Sequence, residues 1–156
     1  MEAEKRFGRI DVLVNNAALR ASCSFGDFTR ETFDRVIAVN LASPFFASQA
    51  VLPLMRKQGG GRIIHIASQM GHVTFDQRAL YGLTKAALIH LTKSMAYELG
   101  RENIIVNAIS PGPIETGRSL QRSAEDTRKL MDKVPAGRFG EAEEIPDVAF
   151  YLATSS

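Results

Sequence analysis

The sequence contains a single cysteine and no tryptophan among its 156 residues. Because Cys23 cannot form an intrachain disulfide, we expect a protein of a reducing compartment, the cytoplasm. The chain also lacks runs of like charge, since its 19 basic and 17 acidic residues are interspersed. This balance argues against nucleic acid or an anionic membrane as a partner.

Targeting and metal-binding patterns are missing as well. The first six residues are charged and have no apolar core, so no signal peptide is predicted. We expect no apolar run long enough to span a bilayer. His65, His72 and His90 fit no metal-ligand spacing, so no metal site is predicted.

What remains is the composition of a globular protein, with 45% hydrophobic and 23% charged residues, which predicts a single domain over residues 1–156. Apolar runs alternate with helical patterns, as in the βαβ units of a parallel α/β sheet. Strands are predicted over residues 10–14, 62–67 and 104–109. Helices are predicted over residues 1–7, 29–55, 77 or 78 to 100, and 141–152, with two short helical pieces around residues 119–133.

Tyr81 and Lys85 form the most informative pair in the sequence. Four residues apart on a predicted helix, they lie one turn apart on the same face. An ammonium group within reach of a phenolic oxygen favours the phenolate, which makes the phenol a usable proton donor and acceptor near neutral pH. Ser68 follows the second predicted strand, at the edge where open α/β sheets place their ligands.

Five segments, taken together, resemble the motifs of one known family. They are residues 11–18 (DVLVNNAA), Asn40 in VNL, Ser68 in IAS, Tyr81 and Lys85 in YGLTK, and residues 107–116 (NAISPGPIET). In order and spacing these segments are similar to those of the short-chain dehydrogenase/reductase family, over essentially all 156 residues. Ala18 stands where the family usually has glycine, which restricts the backbone angles there.

The resemblance implies roles for particular residues. Tyr81 would be the general acid in carbonyl reduction, and Lys85 would bind the nicotinamide ribose. Ser68 would hydrogen-bond the substrate oxygen, and Asn40 would hold a water that relays protons through Lys85. The implied catalytic set is Asn40, Ser68, Tyr81 and Lys85, and the implied cofactor contacts are Asn16, Ala17, Ala18, Tyr81, Lys85, Pro111, Gly112, Ile114 and Thr116.

Two further segments are candidates for the substrate pocket. Met70, Gly71, His72 and Phe75 lie between Ser68 and the predicted catalytic helix. Residues 115–133 correspond in position to the lid of such enzymes. Within that segment the candidates to meet an anionic group are Arg118 and Arg122, and the alternative is a solvated helix face.

The sequence contains no strand followed by the Gly-rich turn on which family members receive the cofactor pyrophosphate. The glycines at positions 59–61 precede a strand, so they are predicted to stop a helix and form a turn. We therefore expect an N-terminally truncated member: the C-terminal half of a doubly wound, Rossmann-like fold, with about three strands. Its open apolar edges would favour self-association or marginal folding.

Two functions stay open at this point. One is an oxidoreductase that uses NAD or NADP on a small carbonyl compound or secondary alcohol, similar to 3-oxoacyl reductases or to sugar and polyol dehydrogenases. The other is a catalytically silent fragment that serves as an oligomerisation module. A homo-oligomer through the two long helices is expected from the resemblance. The residue that distinguishes NAD from NADP follows a strand that this sequence does not contain.

Overall fold

A parallel sheet forms the centre of the computed structural model, which describes residues 2–117 and 123–155. Within these residues the sheet has the strands β1 (Val12–Asn15), β2 (Gly61–Ile66) and β3 (Ile104–Ile109), in the order β1-β2-β3. Val14 pairs with Ile64 and Ile64 pairs with Asn107 in the register. The α/β class and the parallel arrangement are confirmed.

Helices connect and flank the strands. They are α1 (Glu2–Phe7), α2 (Arg30–Ile37), α3 (Ser43–Lys57), α4 (Ala79–Leu99), α5 (Ala124–Met131) and α6 (Glu144–Thr154). Short 3-10 turns occur at Phe25–Asp27, Gln69–Gly71 and Gly100–Glu102. Of the helical pieces predicted around residues 119–133, α5 is present, and residues 118–122 lie outside the described part of the chain.

The helix predicted as continuous over residues 29–55 is interrupted. Thr29 caps it as expected, because its hydroxyl accepts a hydrogen bond from Thr32 N at 3.1 Å. A π-helical turn, Ala38–Ala42, then separates α2 from α3. The turn contains Asn40, a poor residue for a helix interior, and leaves it 1% exposed.

The main core lies between the sheet and the helices α3 and α4. Its buried members are Val51, Met55, Ile63, Leu99, Ile104 and Val106. Met55, Ile63 and Ile104 have no exposed surface, and each buried side chain of this size contributes about 2 kcal/mol to stability. This packing fixes α4 against β3 and so sets the position of the helix that carries Tyr81 and Lys85.

The turns at the two helix ends differ in how they are made. Gly59 and Gly60 follow α3 with φ of +86° and +145°, as a helix stop requires, and β2 begins at Gly61. Gly100 does not end α4 by adopting a left-handed conformation, because its φ is −59°. The left-handed residue is Asn103, three positions later, with φ of 57°.

The final helix begins three residues later than predicted. The carboxylate of Glu144 accepts a hydrogen bond from Glu141 N at 2.6 Å and pairs with Arg138 at 2.9 Å. The turn ahead of α6 is therefore held by side-chain contacts, and Glu144 is the first residue of α6.

The β1 edge of the sheet is apolar and exposed, as the sequence predicts. Val12 and Val14 of β1 are 37% and 46% exposed. They line an open groove of about 820 Å³ together with α6 residues such as Ile145 and Phe150. Self-association of the chain stays a prediction.

The helical stretch over residues 30–57 differs from the expectation about membranes. By length and composition it is apolar enough to cross a bilayer. A core helix of a globular protein meets the same criteria, and this stretch buries Asn40, Ser48, Val51 and Met55 against the rest of the fold. One face of the stretch thus packs into the core, whereas Phe45 and Phe46 are 45% and 62% exposed.

Candidate active site

Tyr81 and Lys85 lie on one face of α4 and point toward the carboxyl edge of the sheet. Tyr81 is 8% exposed and Lys85 is 2% exposed. The Lys85 Nζ atom lies 5.7 Å from the centroid of the Tyr81 ring. The same Nζ donates a hydrogen bond to the carbonyl oxygen of Ile66, at the end of β2, at 2.6 Å. The strand end thus fixes the ammonium beside the phenol.

Burial weakens the proton affinity of Lys85. Removing the ammonium from water lowers the pKa of Lys85 to about 8. Ile66 O is the single hydrogen-bond acceptor that Lys85 Nζ meets within residues 2–117 and 123–155, and an ammonium has three donors. The remaining donors are therefore left for a ligand.

Ser68 lies two residues beyond β2, between the strand and α4. Its hydroxyl accepts a hydrogen bond from Met70 N at 3.1 Å, which caps the 3-10 turn Gln69–Gly71. Gln69 N donates to Pro111 O at 2.9 Å. This bond ties the end of β2 to the Pro-Gly segment that follows β3, so both sequence-predicted segments meet at one edge.

Two glycines permit the close approach of this turn to α4. A Cβ atom at Gly82 would lie 2.9 Å from Met70 O, and one at Gly71 would lie 2.9 Å from the backbone carbon of Lys85. Backbone atoms cannot move aside as a flexible side chain can. Gly71 is thus a packing residue, and its place at the border of the substrate pocket stays a prediction.

Asn40 is placed differently from the other predicted catalytic residues. Its carboxamide bonds to both backbone polar groups of Leu19, and its Nδ2 atom donates to Thr84 Oγ1 at 3.1 Å. Thr84 in turn donates to Tyr81 O at 2.8 Å. The Asn40 side chain joins the π-helical turn to α4 and does not line the cavity of about 540 Å³ that opens beside Tyr81 and Lys85. Its role in holding a water stays a prediction.

A cavity of about 540 Å³ opens beside Tyr81 and Lys85. Most of the sequence-predicted cofactor contacts line it: Asn16, Ala18, Tyr81, Lys85, Pro111, Gly112, Ile114 and Thr116, with Ser68. Ala17 does not line it. We refer to this space as the cofactor cavity, after the cofactor contacts predicted for the residues that line it.

A second cavity, of about 320 Å³, adjoins the first, and Ser68 and Tyr81 line it as well. Met70 and Phe75 contribute to its wall, as expected. His72 does not line it, and its Nε2 atom lies 3.1 Å from Ser110 Oγ. We refer to this space as the substrate cavity, after the prediction that Met70 and Phe75 border the substrate pocket.

Arg20 is a site residue that the sequence analysis missed. Its Cζ atom lies 5.5 Å from the centroid of the Tyr81 ring, and it lines both cavities. The feature of the sequence that could have indicated Arg20 is its position in the loop after β1, four residues beyond Asn16. The two arginines singled out instead, Arg118 and Arg122, lie outside the described residues.

His65 has a structural position beneath the site. It is completely buried, with Nδ1 2.9 Å from Thr92 Oγ1 and Nε2 3.4 Å from Ser48 Oγ. Burial, together with the charge of Lys85, lowers the pKa of His65 to about 4. The ring is therefore neutral at physiological pH, and neither cavity is lined by it.

Comparisons with known proteins agree with this geometry. The whole chain, residues 1–156, matches the family model described as enoyl-(acyl carrier protein) reductase. It is 42% identical over 148 residues to carbonyl reductase [NADPH] 2 of Sus scrofa and 38% identical over 150 residues to a 3-oxoacyl-[acyl-carrier-protein] reductase of Thermotoga maritima. These matches cover 93% and 96% of this chain, and 61% of each relative.

A solved structure gives the same result. A gluconate 5-dehydrogenase of Burkholderia cenocepacia, crystallised with NADP and tartrate, superimposes with a TM-score of 0.92 at 35% identity. The superposition covers 99% of this chain and 62% of that one. The chain therefore spans about three fifths of the length of the proteins it matches. On the family model, the relatives and the fold together, the chain belongs to the short-chain dehydrogenase/reductase family.

Proposed function

We propose that this site serves hydride transfer between a nicotinamide cofactor and a small carbonyl compound or secondary alcohol. The observation that carries the proposal is that Tyr81 and Ser68 both line two adjoining cavities, with the Lys85 ammonium beside the phenol. A reaction between two bound molecules needs such an arrangement, with proton-transfer groups at their meeting point.

The cofactor cavity fits the nicotinamide end of NAD or NADP. Lys85 is buried there and has donors left over for ribose hydroxyls. Pro111, Gly112 and Ile114 give a surface of small or apolar groups for the nicotinamide ring. When bound, the cofactor supplies or accepts the hydride. The comparisons name NADP for the Burkholderia cenocepacia enzyme and NADPH for the Sus scrofa enzyme; for this chain both NAD and NADP stay open.

Tyr81 and Ser68, which line both cavities, are the groups that act on the substrate oxygen. In the reductive direction the Tyr81 hydroxyl donates a proton to the carbonyl oxygen, and in the oxidative direction it takes that proton back. The Ser68 hydroxyl donates a hydrogen bond to the same oxygen as negative charge develops on it. The nearby Lys85 ammonium stabilises the phenolate that remains after reduction.

The relatives act on several substrate classes. Their names include a 3-oxoacyl reductase, a sorbitol dehydrogenase and a gluconate 5-dehydrogenase, so the proposal covers a small carbonyl or alcohol substrate. The alternative of a silent oligomerisation module gains no support from these comparisons. A homo-oligomer through the long helices is part of the proposal, because Phe45, Phe46 and Tyr97 expose apolar surface there.

A titration of the chain with NADH and NADPH, followed by nicotinamide fluorescence, tests the cofactor half of the proposal. We expect saturable binding that is lost in Lys85→Ala. Lys93→Ala is the matched control, since Lys93 is an exposed lysine further along α4. Absence of binding at millimolar concentrations, in a chain shown by circular dichroism to be folded, would overturn the proposal for this chain.

A further inference from the structure

The substrate cavity is positively charged on its described walls. Arg20, Arg78 and Lys133 line it, against one carboxylate, Asp76. The three cations come from separate parts of the chain: the loop after β1, the residue before α4, and the segment after α5. Their convergence on one small space is a tertiary feature, which the local sequence does not require.

Of the three cations that line the substrate cavity, Arg20 is the one in contact with the Tyr81 ring. It lies over the Tyr81 ring, with Cζ 5.5 Å from the centroid. None of the described carboxylates forms an ion pair with it. Its planar guanidinium presents several donors in a fixed geometry that matches a carboxylate or phosphate. A substrate whose oxygen meets Tyr81 would therefore place its neighbouring atoms within reach of Arg20.

Lys133 and Arg78 occupy the rest of the wall. The Lys133 Nζ atom lies 5.2 Å from the centroid of the Phe75 ring, and Lys133 has no carboxylate partner within the described residues. Arg78 is engaged with Ser22 Oγ, so it adds charge to the wall without being the primary anchor. Asp76 offsets part of this charge, and the balance on the wall stays positive.

From this arrangement we propose that the substrate carries a compact anionic group, a carboxylate or a phosphate, which Arg20 binds while Tyr81 and Ser68 hold the reacting oxygen. The inference rests on the proposed function, since it assigns the substrate class of that site. Arg20 is then a substrate-binding residue that selects charged substrates over neutral alcohols of the same shape. The anionic group takes no part in the bond changes.

Binding of small anions tests the inference without requiring turnover. Malonate and inorganic phosphate are titrated calorimetrically into the chain, with and without NADPH, and into Arg20→Gln and Lys133→Gln. Arg101→Gln is the matched control, because Arg101 is exposed and follows α4 at the opposite edge of the sheet. We expect Arg20→Gln to weaken binding at least about tenfold, which corresponds to about 1.4 kcal/mol, and Arg101→Gln to leave it unchanged. The tighter anion identifies the group as carboxylate or phosphate.

A second measurement separates this inference from the proposed function. Hydroxy acids and their primary amides, which differ in charge and little in shape, are compared as substrates. A preference for the acid that disappears in Arg20→Gln supports the inference. Equal turnover of acid and amide would overturn it and leave the proposed function standing. Anion binding that depends on Arg20, in a chain that binds no nicotinamide, would support the anion site and overturn the proposed function. Absence of anion binding to the folded chain would overturn the inference.

Discussion

The side-chain amide of Asn40 holds the backbone of Leu19 through two reciprocal hydrogen bonds. Asn40 Oδ1 accepts from Leu19 N at 2.7 Å, and Asn40 Nδ2 donates to Leu19 O at 2.8 Å. Leu19 directly precedes Arg20, so the buried π-helical turn fixes the loop that carries this arginine. Asn40, which the sequence resemblance identifies as the residue that would hold a water, thus also positions the loop after β1.

Replacing Asn40 with alanine should loosen that loop. The change removes three hydrogen bonds from a buried side chain and takes the partner away from both backbone polar groups of Leu19, whereas Thr84 keeps its bond to Tyr81 O. We expect the free energy of unfolding to fall by about 2 kcal/mol or more and amide exchange at Leu19 to accelerate. Denaturant unfolding and hydrogen exchange measure both. The control Gln49→Ala, at an exposed position of α3, should change neither; protected exchange at Leu19 in Asn40→Ala would contradict this account.

The buried ring of His65 should make the stability of the fold decrease at acidic pH. The pKa of His65 is about 4 in the folded chain and 6.5 when exposed, so the unfolded state takes up a proton first as the pH falls. Stability should therefore be full above pH 6.5 and decrease by about 3 kcal/mol toward pH 4. Urea unfolding across this range measures it. His65→Asn should remove most of this loss of stability between pH 6.5 and 4. His90→Asn, at an exposed position of α4, should retain it.

The buried ammonium of Lys85 should make the stability of the fold depend on pH in the basic range. Burial lowers the pKa of Lys85 to about 8 from 10.5, so the folded state releases its proton before the unfolded state does. Stability should rise by about 3 kcal/mol between pH 8 and 10.5 from this group. Lys85→Met should remove that rise, and Lys93→Met should keep it. An identical pH profile for Lys85→Met and the unmodified chain would show that the ammonium is hydrated in the folded state.

Gly82→Ala should impair turnover more than stability. Alanine favours a helix over glycine by about 1 kcal/mol, yet its Cβ would lie 2.9 Å from Met70 O and displace the turn that holds Ser68. We expect kcat/KM to fall at least about tenfold, since small displacements of a reacting group are costly. Gly100→Ala has open space around its Cβ and helical backbone angles, so it serves as the control. An unchanged kcat/KM in Gly82→Ala would contradict the prediction that the position of Ser68 matters for the reaction.

The sequence predicts the regular parts of this fold well because its signals there are local. Apolar runs locate β2 and β3 within a residue or so, and Thr29 marks the start of α2 through a capping bond that needs neighbouring residues alone. The YGLTK segment identifies the site because helical periodicity places Tyr81 and Lys85 on one face. These features depend on residues within a few positions of each other.

The features missed by the sequence depend on distant contacts. The π-helical turn at Asn40 is stabilised by Leu19 and Thr84, which are 21 and 44 residues away in the chain. Arg20 belongs to the site because it contacts Tyr81 of α4, and no local sequence pattern predicts that contact. The left-handed residue after α4 is Asn103 and not Gly100, because the 3-10 turn Gly100–Glu102 extends the helical end before the chain reverses.

The most direct measurement is nicotinamide-dependent turnover of a small alcohol or hydroxy acid by the chain and by Tyr81→Phe. The variant keeps the ring and removes the hydroxyl to which we assign the proton transfer. Tyr97→Phe is the matched control, because Tyr97 lies on the same helix and is 91% exposed. The account predicts that Tyr81→Phe loses turnover at least about a hundredfold, as expected for a general acid, with cofactor binding retained. Turnover by Tyr81→Phe at the rate of the Tyr97→Phe control would contradict it.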